Sequence, residues 1–175
     1  MFVQSFVDEF TRYRLLGAKA IAQASDGALN HVPVGDGNSI AMLVRHVSGN
    51  LTSRFTDFLT TDGEKPTRDR DGEFVDGFFS REEITAAWAS GFEVVERELA
   101  DLIEDDLQST VTIRGTELSV HEALSRSIAH TAMHTGQIIL LAKIEAGDRW
   151  TTLSIPRGQS AQYNANPTLE KRPAR

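Results

Sequence analysis

The sequence predicts an all-α protein built as a single four-helix bundle. Four long stretches repeat apolar residues every three or four positions, which is the spacing of one helix face. Two of them begin at capping boxes, Ser80-Arg81-Glu82-Glu83 and Ser119-Val120-His121-Glu122. A length of 175 residues suits one domain with one core. We therefore expect a bundle over residues 1–164, followed by a flexible tail over residues 165–175.

The first two predicted helices flank a segment that contains glycine and proline. The first covers residues 2–24, and residues 26–37 break it. Its apolar stripe consists of Phe2, Phe6, Phe10, Tyr13, Leu16, Ala20 and Ala24. The second starts at Asn38 or Ser39, either of which can cap it. Its apolar stripe consists of Ile40, Leu43, Val47, Leu51, Phe55, Phe58 and Leu59.

The connection between the second and third helices is strongly polar. Residues 64–73 hold mostly charged side chains, so we expect an exposed surface segment. Its length allows a long crossover between these two helices instead of a tight hairpin.

The second half of the chain holds the third and fourth helices. The third begins at Ser80 and ends near Leu102, where Glu104-Asp105-Asp106 places three acids at the end that the helix dipole disfavours for them. Residues 111–118 are rich in β-branched side chains and predict a small hairpin or an extended link. The fourth helix covers residues 119–146 and is ended by Gly147.

Composition restricts the classes of function. The formal net charge is −7 and no Lys/Arg cluster is present, so we expect no nucleic-acid partner. No apolar run is long enough for a bilayer and the first residues lack a basic region, so we expect a cytoplasmic protein without a membrane partner. The chain has no cysteine, which excludes disulfides, thiolate metal sites and a thiol nucleophile of its own.

Three histidines form the candidate metal site. His130 and His134 are four residues apart in the fourth helix, so both imidazoles leave the same face. His46 lies near the edge of the second helix's apolar stripe and could complete the set. Facing helices in a bundle lie about 8–10 Å apart, so a metal between them is within reach of histidine side chains. The alternative is that the pair is only a polar flank of the helix.

The spacing also restricts the chemistry. Thr131 stands where a His-Glu-x-x-His peptidase has its general base, so that class is rejected. Three imidazoles leave an open coordination position, as in catalytic zinc sites. Such an ion would lower the pKa of a bound thiol or water. Imidazole suits Zn, Ni, Fe or Cu, and the sequence does not choose among these divalent metals.

Other polar residues border these histidines. Asn50 and Gln137 each lie about one turn beyond a histidine, where they could orient a ligand or touch a substrate. Both could equally be ordinary polar residues at the bundle edge. His121 and His31 are expected at the surface. No residue is singled out as catalytic.

At this point the residues resemble a known family. His46, the pair His130-x₃-His134 and the following residues 136–138 are similar to the DinB/YfiT-like metalloenzymes. Residues 150–160 resemble the C-terminal signature of one uncharacterised bacterial branch, and the resemblance covers about residues 1–164. It implies a four-helix bundle with a long crossover and a divalent metal held by the three histidines. It also implies transferases or isomerases that act through low-molecular-weight thiols.

The turn after the fourth helix carries a separate hypothesis. Pro156-Arg157-Gly158 could fold back over the bundle mouth, where Arg157 would offer a planar fork to a substrate carboxylate. The alternative is a structural arginine that ties the tail to the bundle.

Three functions remain open. The first is a metal-dependent, thiol-linked transferase or isomerase of a small-molecule substrate. The second is a metal-dependent hydrolase, disfavoured because no carboxylate base is evident near the histidines. The third is a non-catalytic metal-binding or stress-associated bundle. A homodimer would be compatible with each, since a bundle of this size can pair through one helical face.

Overall fold

A computed structural model describes residues 2–33 and 35–173 of the chain, and these residues are mostly helical. They form six α-helices and one two-stranded sheet, joined by short 3₁₀ turns. The helices are α1 (Phe2–Gln23), α2 (Asp26–Asn30), α3 (Ile40–Phe55), α4 (Arg81–Ala100), α5 (Val120–Ala146) and α6 (Ser160–Ala165), and the strands are β1 (Thr110–Ile113) and β2 (Thr116–Ser119). The predicted helical class is confirmed at this level.

The four long helices share one apolar core. α1 packs against α4 and α5, and α3 packs against the same two helices. Their apolar faces supply the largest fully buried side chains, which include Phe10, Phe55, Phe92 and Leu124. Burying such a side chain contributes roughly 1.5–3 kcal/mol, so these faces hold the helices together.

The helix starts follow the predicted capping residues. Ser39 Oγ accepts the backbone N–H of Met42 at 3.2 Å. The capping boxes of Ser80 with Glu83 and of Ser119 with Glu122 are both present. Each satisfies backbone N–H groups that lack a partner within the helix.

Two local differences from the sequence prediction have physical causes. α3 ends at Phe55, before the predicted Leu59, because Thr56 is extended (ψ 123°) and Asp57 then takes a left-handed conformation (φ +50°). The acids after α4 lie at the end of that helix where its dipole disfavours them, but one of them stabilises another helix. Glu104 accepts the backbone N–H groups of Phe2 and Val3 at 3.0 and 3.1 Å, so it caps the start of α1.

The predicted hairpin is present as β1 and β2. Val111 pairs with Leu118, and Arg114-Gly115 forms the turn with φ of +54° and +72°. Asp62 accepts the backbone N–H groups of both turn residues at 2.9 Å. Backbone hydrogen bonds from Glu64, Gly115 and Arg114 lower the pKa of Asp62 to about 2. The hairpin is thereby attached to the connection between α3 and α4.

The C-terminal segment lies against the first helix. The carboxylate of Asp8 contacts Arg172 at 3.2 Å, and Arg12 donates to the carbonyl of Leu169. The predicted division at residues 164 and 165 and the mobility of the tail stay predictions, and residues 174–175 lie outside the described residues. Across the described ranges, no helix has the length and apolarity that a membrane span requires.

Candidate metal centre

The structure brings the three predicted histidines together. His46 comes from α3, whereas His130 and His134 come from successive turns of α5. One ring nitrogen from each lies within 4.8 Å of one from each of the others. The Nε2 atoms of His46 and His130 are 3.0 Å apart. Two nitrogen ligands about 2.0–2.1 Å from a shared zinc ion are separated by about 3 Å, so the spacing suits one ion.

Packing of α3 against α5 sets this arrangement. The ring centroids of His130 and His134 are 4.5 Å apart because residues at i and i+4 share a helix face. The ring of His46 lies 5.0 Å from that of His130 and 4.8 Å from that of His134. His46 and His134 are buried, at 5% and 9% exposure, and His130 is partly buried.

Hydrogen bonds orient two of the rings. His46 Nδ1 donates to Glu73 Oε2 at 2.9 Å, since an ionised carboxylate can only accept. His134 Nδ1 donates to the amide oxygen Oε1 of Gln137 at 2.7 Å. With the proton on Nδ1, Nε2 of each ring carries a lone pair. A partner of this kind on the remote nitrogen is typical of metal-ligating histidines.

The predicted surface connection is wrong at Glu73. This residue is only 7% exposed, and the Arg68 side chain that contacts it is 4% exposed. Arg68 donates to both oxygens of Glu73, at 2.8 and 2.9 Å. Burial alone would raise the pKa of Glu73, but the hydrogen bonds from His46 and Arg68 lower it below its usual value. The carboxylate is therefore ionised in its buried position.

A glycine of α3 makes room for this carboxylate. A Cβ atom on Gly49 would lie 2.2 Å from Glu73 Oε1. No real side chain fits at that distance, so the absence of a Cβ atom is what lets Glu73 lie against α3 beside His46.

His130 and His134 have the protonation state that a metal ion requires. Burial and the neighbouring His134 and His46 lower the pKa of His130 to about 4. Burial also lowers the pKa of His134, against the opposing effect of its bond to Gln137. Near neutral pH both rings are therefore uncharged, as imidazole ligands must be.

The donor set fits a divalent ion. Nε2 of His46, which carries a lone pair, lies 3.0 Å from Nε2 of His130, and one ring nitrogen of His134 lies within 4.8 Å of a ring nitrogen of each of the other two. Nδ1 of His130 is buried without a hydrogen-bond partner among the described residues. An unpaired buried polar atom costs about 1–3 kcal/mol, which marks this cluster as more than a structural polar flank.

The remaining residues singled out in the sequence differ in their burial and contacts. Asn50 is buried one turn beyond His46, and Gln137 holds His134. Arg157 is exposed in a turn where Gln159 N–H bonds the carbonyl of Pro156, and its proposed contact with a substrate stays a prediction. His121 and His31 are exposed, as the sequence predicted.

A cavity of about 430 Å³ opens beside His130. His130 and Ser127 of α5 form one wall, Asn50 of α3 another, and the hairpin contributes Ile113 and Leu118. This volume is within the range of small-molecule sites. A second cavity of about 550 Å³ lies between α1 and the end of α4, where none of the three histidines reaches it. We therefore place the candidate site at the cavity beside His130.

Sequence reasoning missed Glu73, Arg68 and the arginines of this cavity. Glu73 and Arg68 lie in an irregular segment where no periodic pattern indicates which side chains turn inward. Arg126 carried a usable signal, since it lies four residues before His130 and therefore shares its helix face.

A family model described as "Protein of unknown function (DUF1572)" matches residues 1–159. No curated protein matches the chain.

Proposed function

Because the chain belongs to the DUF1572 family, whose description names no activity, we propose its function from the candidate centre itself. The protein is a metal-dependent enzyme in which His46, His130 and His134 hold one divalent ion. The observation that supports this most is the approach of three imidazole nitrogens within 4.8 Å from two separate helices. Zinc, nickel or iron would suit the donor set.

The fold we propose is a DinB/YfiT-like four-helix bundle formed by α1, α3, α4 and α5. Its support is the closed set of contacts in which each of these helices packs against two of the others. The connection over residues 56–80, between α3 and α4, would be the long crossover.

The reaction we propose is the thiol-linked transfer or isomerisation of a small molecule. The ion would act as a Lewis acid that lowers the pKa of a thiol or of water, and so supply a nucleophile at neutral pH. The chain has no cysteine, so the thiol would come from a low-molecular-weight cosubstrate. The resemblance of the three-histidine pattern to thiol-dependent relatives supports this choice.

The chain's own residues would position the reactants. Glu73 fixes the ring of His46, and Gln137 fixes that of His134, through the Nδ1 hydrogens. The cavity beside His130 has room for a small substrate, and its apolar side chains, among them Phe55 and Phe58, would exclude part of the water.

A hydrolase is the weaker proposal because of the state of Glu73. Among the described residues this carboxylate contacts His46, but both its oxygens already accept hydrogen bonds from Arg68. It is therefore not free to take a proton from water.

The metal site is tested by elemental analysis of purified protein. We expect about one divalent ion per chain in the wild type and a large loss in His130→Ala and His134→Ala. His121→Ala is the matched control, because His121 is an exposed histidine of the same helix. Equal metal content in all four proteins would overturn the proposed site.

The reaction is tested by following free thiol in the presence of small electrophiles. We expect consumption or turnover that requires both the thiol and the metal, and that is lost in His134→Ala. Turnover without thiol would favour the hydrolase. A metal-loaded protein inactive under every condition would favour a non-catalytic binding module.

A further inference from the structure

The cavity beside His130 is positively charged in a protein that carries a net charge of −7. Three of its lining residues are arginines, namely Arg54, Arg114 and Arg126. None of the described residues that line it is acidic. The cavity is therefore a local region of positive charge in a protein that is acidic as a whole.

The three arginines are not equivalent. Arg54 and Arg114 both contact the same carboxylate oxygen, Oε2 of Glu64, at 2.8 and 3.1 Å. Arg126 is exposed and forms no ion pair with any of the described residues. Glu64 thus pairs with two arginines of the cavity, and with Arg68 at 3.8 Å, whereas Arg126 donates no hydrogen bond to any of the described residues.

Two buried polar atoms of the same wall also lack partners. Ser127 Oγ and His130 Nδ1 make no hydrogen bond within the described part of the chain, and both residues line the cavity. Ser127 is only 9% exposed. If Nε2 of His130 carries the lone pair that a metal would use, Nδ1 carries the hydrogen. The α5 wall therefore holds a buried hydroxyl and a buried imidazole nitrogen without partners beside the exposed guanidinium of Arg126.

The walls formed by α3 and the hairpin carry the large apolar side chains of the cavity beside Asn50, Arg54, Arg114 and Thr116. Phe55 and Phe58 lie at the α3 end, and Ile113 and Leu118 lie on the hairpin. A ligand that fits these walls would combine an apolar body with an acceptor-only, negatively charged group.

We propose that this cavity binds a small organic carboxylate, with Arg126 as the principal contact of the carboxylate group and the apolar body against the hairpin. The claim that this carboxylate is the substrate rests on the proposed function. Arg126 lies one helical turn before His130, so a ligand held there would extend towards the three histidines. This arrangement assigns the acid-binding role to Arg126 of α5 instead of Arg157.

The test is a titration of benzoate and of its neutral analogue benzamide, followed by ligand-observed NMR. We expect benzoate to bind the wild type about tenfold more tightly than benzamide, since a hydrogen bond to a charged group is the stronger kind. Arg126→Gln should weaken benzoate by about tenfold and leave benzamide unchanged. The matched control is Arg149→Gln, in the 3₁₀ turn that follows α5 and outside the lining of the cavity, which should change neither. Equal affinities for the two probes, no saturable binding of benzoate, or no effect of Arg126→Gln would overturn the proposal.

Each titration is made with chelator-treated and with zinc-loaded protein. Benzoate binding that depends on Arg126 without zinc supports the inference, even where elemental analysis has overturned the metal site. Benzoate binding that is lost with the metal and in His134→Ala, but kept in Arg126→Gln, would place the carboxylate on the ion. That result would overturn the inference and leave the proposed function standing.

Discussion

The two sides of α3 are built differently. Towards α4 the backbones approach closely, and a Cβ atom on Gly91 would lie 2.8 Å from Ser48 Cα. Towards α5 the same helix presents His46 and Asn50, and a cavity lies between the two helices. The first side is packed as a protein interior should be. The second keeps polar groups and space that packing alone would remove.

Unpaired polar atoms follow the same division. In the described ranges, four of the buried side-chain atoms without a hydrogen-bond partner belong to α5: those of Ser127, His130, Thr131 and Thr135. Such atoms lower stability by about 1–3 kcal/mol each. By contrast, Trp88 of α4 lies against Gly17 of α1 and donates its indole N–H to the carbonyl of Arg14 at 2.9 Å. The comparison indicates that α4 contributes stability and that the α3–α5 interface contributes the site.

The largest expected effect is a loss of stability on replacement of Glu73, whose carboxylate accepts a hydrogen bond from His46. Glu73→Ala should lower the free energy of unfolding by about 3–5 kcal/mol, because it removes both hydrogen bonds between Glu73 and the buried Arg68 and leaves that arginine only the longer contact with Glu64, at 3.8 Å. Urea denaturation monitored by circular dichroism measures this. A loss below about 1 kcal/mol would show that the pair is not the buried ion pair described above.

The next expected effect is on zinc affinity. It tests whether Glu73 orients the ring of His46, apart from its contribution to stability. Glu73→Gln keeps an acceptor but removes the charge, so zinc affinity should fall by about 10–100-fold while the protein remains folded. Competition with a fluorescent zinc chelator gives the affinity. Glu64→Gln is the control, since Glu64 lies in the same connection without contacting a histidine. Equal zinc affinity in wild type and Glu73→Gln would show that the charge of Glu73 does not contribute to metal binding.

A change at the contact between α3 and α4 should affect stability without affecting zinc affinity. Gly91→Ala should lower the free energy of unfolding by about 1–3 kcal/mol, because backbone must move to admit the methyl group, and zinc affinity should not change. Gly136→Ala on α5 is the matched control. No atom lies within 4 Å of its added Cβ, so it should stabilise the helix by about 0.5–1 kcal/mol. A stabilising Gly91→Ala would show that the α3–α4 contact is looser than described.

The last expected effect is a pH dependence of the metal-free protein. His130 has a pKa of about 4 when folded and of about 6.5 when unfolded. Between these values the unfolded chain binds the additional proton, so stability falls as the pH is lowered from 6.5 to 4. Replacing His130 by Asn should flatten this part of the stability profile. Identical slopes for the two proteins would show that the ring is not held neutral by the fold.

The histidines could be predicted because helices are periodic. Four-residue spacing placed His130 and His134 on one face, and the apolar stripe of α3 indicated the side on which His46 lies. The capping boxes likewise gave the starts of α4 and α5.

The surroundings of the histidines could not be predicted in the same way. Glu73 lies in a charged, irregular segment, and it is buried because Arg68 and His46 satisfy it there. Only the folded chain brings these three residues together. The cavity depends equally on the hairpin, whose turn is fixed by Asp62 from a distant part of the sequence.

The account depends most on His46, the one ligand candidate that α3 supplies. Calorimetric titration of zinc into chelator-treated protein tests it directly, with wild type beside His46→Ala. We expect one tight site per chain in the wild type and no tight site in the variant, with both proteins folded by circular dichroism. The same stoichiometry and affinity in both proteins would contradict the claim that α3 and α5 together form the metal site.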